Sequence, residues 1–289
     1  MGNYSKIIAG TMTWGAWGKK LSKLEMSNLV HTCLELGITT FDHADIYGDY
    51  STEEEFGAAL KASNCSRPDI QLISKCGIQL LSEKRPNTIK HYNYSKDYII
   101  ETANNSLKHL HTDYLDTFLL HRPSPLLKVE EVFEAFTRLK KEGKVKTFGV
   151  SNFTNTQTEL LLNAGIDIKV NQIECSLTQA SAMFDGSLDY MSVKNIQPMA
   201  WSPLGAVFKT DNLRSKDLLN LINVLCDDYN ASADQIILAW LMQHPSRIIP
   251  VVGTTTSSRL KNAIEATTIT LNLEDWFKLL EAAQGQPVP

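Results

Sequence analysis

Nothing in the 289 residues approaches the roughly 18 consecutive apolar positions that a membrane-spanning helix requires. The N-terminus also lacks the charged-then-apolar layout of a signal peptide, so the expectation is a cytoplasmic protein without a membrane partner. Basic charge is equally scarce: 28 Lys and Arg stand against 32 Asp and Glu, with no clustered cations to neutralise a phosphate backbone, so nucleic acid is not an expected partner. Cys33, Cys65, Cys76, Cys175 and Cys226 include no short pair such as C-x-x-C. Neither a zinc site nor a disulfide framework is suggested, and no metal is expected. G-x-G pairs are absent, as is G-x-x-x-x-G-K-[ST], which excludes the two commonest phosphate-cradling loops. No Gly/Ser/Pro-rich linker interrupts the chain, so one domain over residues 1–289 is expected.

What the sequence does contain is a rhythm. Short β-branched runs alternate with longer stretches of helical period: 7–10 then a helix near 25–36, 39–45 then a helix near 52–62, and 70–75. After a polar excursion over about 78–94 the pattern resumes with a helix near 96–109, a strand at 114–121, a helix near 127–142, a strand at 146–152 and a helix near 154–163. Strands at 168–174, 196–202 and 247–253 follow, with helices near 180–194, 214–229, 232–243 and 256–265. Val129, Val132, Phe133, Phe136 and Leu139 share one helical face, as do Ile99, Ala103, Leu107 and Leu110. Eight strands each followed by a helix predict an α/β fold, a closed (β/α)8 TIM barrel with extra helices.

Chemistry in such a barrel sits at the C-terminal strand ends. Polar residues there are Asp42, Asp45 and Tyr47; Lys75; His121; Ser151 and Asn152; Gln172 and Glu174; Ser202; and Thr254. Lys75 follows alternating apolar positions, so it is expected to point into the barrel mouth, where a buried ammonium needs a carboxylate. Asp42 on the neighbouring strand end supplies one, and Tyr47 reaches over the same mouth. A phenol beside an ammonium is expected to have its pKa pulled below about 10. His121 ends the next strand, within reach of the phenol or of a substrate carbonyl. Any one of these is explicable as packing; four on three successive strand ends are far harder to explain so.

GITTFDHADIYG, LISKCG, LLHRP, GKVKTFGVSNF, VNQIE and AWSPLG together resemble the successive signatures of the aldo-keto reductases, over about residues 7–265. The pattern is similar to the bacterial subgroup with an extra segment after the third strand, here about 78–94. The resemblance implies reduction of a small-molecule aldehyde or ketone with NADP(H), by a monomer. It makes Asp42, Tyr47, Lys75 and His121 the catalytic set: Tyr47 the general acid, Lys75 the group that depresses its pKa, Asp42 the anchor of Lys75, and His121 the group that orients the carbonyl. It places Ser151, Asn152 and Gln172 on the nicotinamide carboxamide and Trp201, where Tyr is more usual, against the ring. Gly10, Thr11 and Met12 come near the ribose, and Leu204 and Gly205, with Ser202 on the same loop, face the pyrophosphate. Thr254, Thr256, Ser257 and Arg259 in the last βα turn would take the adenosine phosphate, where a helix N-terminus with hydroxyls and a guanidinium suits a 2′-phosphate. The chain departs from the pattern there, with Asn262-Ala263 in place of a Glu-Asn pair.

For the substrate, Trp14, Trp17 and His43 are expected on loops above the mouth, and the loops near 14–20, 78–94 and 205–213 are expected to shape it. Two other readings compete. One is an NADP(H)-binding, redox-sensing regulatory barrel of weak activity; the other is a Schiff-base aldolase using Lys75 as nucleophile.

Overall fold

A computed structural model describes residues 4–209 and 213–288; part of the loop near 205–213 therefore lies outside the described residues. Eight strands close into a parallel barrel: β1 (Ile8–Gly10), β2 (Thr40–Asp42), β3 (Gln71–Cys76), β4 (Leu115–Leu120), β5 (Val145–Ser151), β6 (Ile168–Glu174), β7 (Gln197–Trp201) and β8 (Ile249–Val252). Neighbours in sequence are neighbours in the barrel, and β8 closes on β1. Asp42 pairs in register with Gly10 and Ile73, and Lys75 with Leu119.

Strand side chains alternate between faces, so every second residue points inward. Ile8, Ile73, Leu119, Val170, Met199 and Val251 meet as one apolar plug inside the barrel. Two positions further along the same strands stand Gly10, Lys75, His121, Gln172, Trp201 and Gly253, and on β2 Asp42 follows Thr40 in the same sense. The period that fills the core thus delivers polar groups to its upper rim. Below the plug, the Tyr4 hydroxyl lies 2.6 Å from Thr117 Oγ1.

Helix starts follow from the sequence locally. Ser22 with Glu25 and Thr154 with Gln157 form capping boxes that satisfy first-turn N–H groups of the helices Lys23–Glu35 and Asn155–Asn163. A larger apolar layer joins the helices to the outer face of the barrel, with Phe41, Phe56, Leu72, Phe118, Val150 and Trp240 among its members. No helix among the described residues is long and apolar enough to cross a membrane. Cys33, Cys76 and Cys175 are buried thiols, while Cys65 and Cys226 are half-buried.

Three features differ from the sequence expectations. The excursion at 78–94 contains a small antiparallel ribbon, Ile78–Gln79 against His91–Tyr92. The helix expected near 180–194 divides into Ser181–Met183 and Ser187–Lys194, because Gly186 takes a left-handed backbone between them. A further helix, Leu273–Gln284, packs on Leu213–Tyr229 and is secured by Trp276 stacked on Trp240 at 4.9 Å, each indole donating to the other residue's carbonyl.

Trp14 requires a correction. It is fully buried, 6.2 Å from the Phe41 ring and 5.8 Å from Phe56, and so forms core rather than a substrate wall. Trp17, three residues on, is the exposed ring beside the mouth, 6.2 Å from Tyr47. Trp14→Ala is expected to destabilise the fold by about 3–5 kcal/mol in urea denaturation; a loss below about 1 kcal/mol would contradict a core role for the ring.

Candidate active site

Lys75 is completely buried, and all three of its ammonium donors are engaged. Nζ donates to Asp42 Oδ2 at 2.7 Å, to the His43 carbonyl at 2.8 Å and to the Tyr47 hydroxyl at 3.2 Å. The other Asp42 oxygen accepts from Gln172 Nε2 at 2.9 Å. One buried carboxylate thereby ties β2, β3 and β6 together at the rim. Tyr47 arrives on the loop after β2, whose turn passes through left-handed Gly48, Asp49 and Tyr50. At Gly48 any Cβ would collide with Thr52 Oγ1 and Ser51 Oγ. The His121 ring stands 6.1 Å from the Tyr47 ring, nearly perpendicular to it, and its buried Nδ1 has no partner among the described residues.

Electrostatics assign protonation states. Burial opposes the Lys75 charge, but Asp42 and Tyr47 outweigh it and hold the ammonium pKa above its ordinary value. Burial pushes the Tyr47 phenol up, with Lys75 pulling it down only in part. The expected net lowering of the phenol pKa is therefore corrected: desolvation of a phenolate at this depth exceeds the attraction of the ammonium. Burial, with Lys75 adding to it, drives His121 well below the usual imidazole range, so the ring is neutral. Lys75, lacking a free lone pair, is a poor Schiff-base nucleophile.

Among the other sequence candidates, Ser151, Asn152 and Trp201 form a chain with Gln172. Ser151 Oγ donates to the Gln172 carbonyl at 2.8 Å, Asn152 Nδ2 to Ser151 Oγ at 2.8 Å, and Trp201 Nε1 to Asn152 Oδ1 at 2.9 Å. Met12 is exposed at the mouth, while Gly10 is buried at its strand end. Thr11 and His43 require correction as ligand contacts. Both are fully buried, the Thr11 hydroxyl is 2.8 Å from His43 Nδ1, and the His43 ring packs on Phe56 at 4.3 Å. Burial and the Lys75 charge push the His43 pKa down to about 3, so it is a neutral core histidine under the loop.

Beside the mouth runs a groove of about 1030 Å³ that brings together Ser202, Leu204, Gly205, Thr254, Thr256 and Arg259. Its volume is at the upper end of the range of small-molecule and cofactor sites. Thr256, at the start of the helix Ser257–Glu265, makes no side-chain capping bond, leaving that N-terminus available to an anion. Lys19, Lys209 and Arg259 line the groove without an ion pair among the described residues. Asn262 is committed to Ser232 and Asp234. The residues present fit a phosphate-bearing cofactor. Lys19 and Lys209 were not singled out in the sequence, since a single exposed lysine carries no periodic signal.

Two buried acids near Lys75 had no assigned role. Asp45, which accepts from the Ile46 N–H and from the Tyr98 hydroxyl, is pushed up to about 8 by burial and by Glu53. Glu53, which accepts from Ser74 Oγ at 2.5 Å, is pushed up to about 7 by burial.

Comparison with known proteins adds to this geometry. The model of the Aldo/keto reductase family matches residues 6–284. The chain is 41% identical to the uncharacterized oxidoreductase YcsN of Bacillus subtilis (strain 168), with 99% of this chain and 96% of that protein covered. It is 34% identical to a 6-dehydroglucose reductase of Agrobacterium fabrum, covering 98% and 97%. An aldo/keto reductase from Klebsiella pneumoniae, solved in complex with NADP and acetate, shares the fold with a TM-score of 0.79 at 22% identity, covering 99% of this chain and 93% of that one.

The raised acids set a pH dependence. Asp45 and Glu53 hold protons in the folded chain to a higher pH than when unfolded, so their stabilising contribution is present below about pH 4 and is lost as pH rises through about 7–8. Asp45→Asn is expected to flatten the fall in denaturation free energy between pH 5 and 8; an unchanged slope would contradict this.

Proposed function

The chain belongs to the aldo/keto reductase family of oxidoreductases, and on that premise we propose that it reduces an aldehyde or ketone with NADPH, using Tyr47 as general acid. The observation that carries this reading is the single buried ammonium bonded at once to the Asp42 carboxylate and the Tyr47 phenol.

NADPH, once bound, would supply the hydride. Ser151, Asn152, Gln172 and Trp201 at the rim would hold its nicotinamide end, while Ser202, Leu204 and Gly205 in the groove would hold its pyrophosphate and Thr254, Thr256 and Arg259 its adenosine phosphate, with Lys19 and Lys209 adding positive charge.

Tyr47 keeps its proton at neutral pH because burial disfavours the phenolate. When a substrate oxygen gains negative charge, the phenol gives up that proton and charge develops on Tyr47 Oη, 3.2 Å from the Lys75 ammonium. The ammonium stabilises the phenolate, and so lowers the cost of donation relative to burial alone. Asp42 keeps Lys75 charged and in place, and Gln172 restrains Asp42 in turn. Neutral His121 offers a ring N–H to the carbonyl oxygen without competing as a base. Trp17 supplies an exposed apolar wall. The Agrobacterium relative is likewise named a reductase, of 6-dehydroglucose.

Tyr47→Phe removes the proton donor and little else. Carbonyl reduction is expected to fall by about 10²–10⁴-fold in kcat, while the NADPH dissociation constant from fluorescence titration changes less than about threefold. Retention of wild-type turnover would overturn the assignment.

A further inference from the structure

Arg122 follows His121 directly in the LLHRP segment, and neither the core nor the mechanism uses its guanidinium. Its backbone is fixed from both sides by one phenol: the Arg122 N–H donates to Tyr94 Oη at 3.0 Å, and the Tyr94 hydroxyl donates to the Arg122 carbonyl at 2.5 Å. The guanidinium carbon lies 5.3 Å from the centroid of Trp201, the ring tied through Asn152 and Ser151 to the rim. A cation held over an indole face keeps its N–H fork free for a further partner.

No acid among the described residues takes that place. Arg122 is half-buried and forms no ion pair among the described residues. Glu174, opposite Trp201 in the strand register, is exposed and does not pair with it. Arg67 shows the contrasting case, its guanidinium donating to Thr112, to the Ile70 and Tyr114 carbonyls and to Asp116. The charge of Arg122 is nevertheless felt at the reacting centre, where it acts on both Tyr47 and His121, and Lys90 adds to it at His121. A half-buried guanidinium without a carboxylate keeps donors available to a ligand, and its fork matches the two oxygens of a carboxylate or phosphate.

We propose that Arg122 is a specificity-determining residue that reads an anionic group on the substrate, so that the preferred substrates are aldehydes or ketones bearing a carboxylate or a phosphate. This rests on the carbonyl-reducing reading above. The anion would meet Arg122 beside Trp201, with the carbonyl at Tyr47 and His121.

The test compares kcat/KM with NADPH for matched pairs: 4-formylbenzoate against 4-formylbenzamide, and glyceraldehyde 3-phosphate against glyceraldehyde. Wild type is expected to favour the anionic member of at least one pair by roughly 10–100-fold, the range of a charge-assisted bond, and the pair showing it identifies carboxylate or phosphate. Arg122→Gln is expected to bring that ratio to within about threefold of unity, and Arg122→Lys to retain most of it. Any general loss of activity cancels in the ratio. No preference in wild type, an unchanged ratio in Arg122→Gln, or equal losses in the Gln and Lys variants would overturn the proposal. Failure to reduce any of the four compounds with NADPH would instead count against the carbonyl-reducing reading itself.

Discussion

The structure of the site depends on keeping one ammonium charged in a place that water does not reach. Lys75 is sealed beneath the rim, and a lone charge there would lose its proton or unfold the site. The Asp42 carboxylate prevents both, at 2.7 Å, and the His43 carbonyl and Tyr47 hydroxyl complete the donor set. A buried pair of this kind adds little net stability, because desolvation consumes most of the Coulomb gain. Its contribution lies in geometry: it locks three strand ends into one arrangement and holds a phenol over the mouth. Ser151, Asn152 and Trp201 connect to the same carboxylate through Gln172, so the rim residues of β2, β3, β5, β6 and β7 share one anchor.

The barrel makes this arrangement accessible to a simple sequence pattern. A residue in the apolar plug and the polar residue two places later lie on the same face, so Ile73 is followed by Lys75, Leu119 by His121 and Val170 by Gln172. Ser74, between the first two, points the other way and bonds Glu53 in the helix layer. The same alternation therefore builds a dry core, a reactive rim and an outer seam. Family membership agrees with this pattern across residues 6–284.

Much of this was legible from the residues. Strand periodicity and the capping residues Ser22 and Thr154 located most elements, and the strand-end positions brought Asp42, Tyr47, Lys75 and His121 together. What was not legible depends on depth. Trp14 and Trp17 share a loop and a chemistry, yet one is core and the other is exposed, and no period in a loop distinguishes them. The pKa of Tyr47 moved opposite to the expectation because a sequence shows the neighbouring ammonium but not the burial that outweighs it. The raised pKa values of Asp45 and Glu53 come from the same burial, and His43 differs from a ligand contact only in that its ring packs on Phe56, which a loop sequence does not display. The helix Leu273–Gln284 lies beyond the last strand–helix repeat of the rhythm, and Trp276 ties it to Trp240.

The central claim is that the rim chemistry and the groove serve one reaction, carbonyl reduction by NADPH. It is tested most directly by following NADPH absorbance and alcohol formation together, across a panel of aldehydes and ketones, beside the same panel with NADH. The account predicts that one NADPH is consumed for each alcohol formed, and that NADPH is the better coenzyme because Lys19, Lys209 and Arg259 line the groove without an ion pair among the described residues. A chain that binds NADPH tightly but reduces no member of the panel would contradict it.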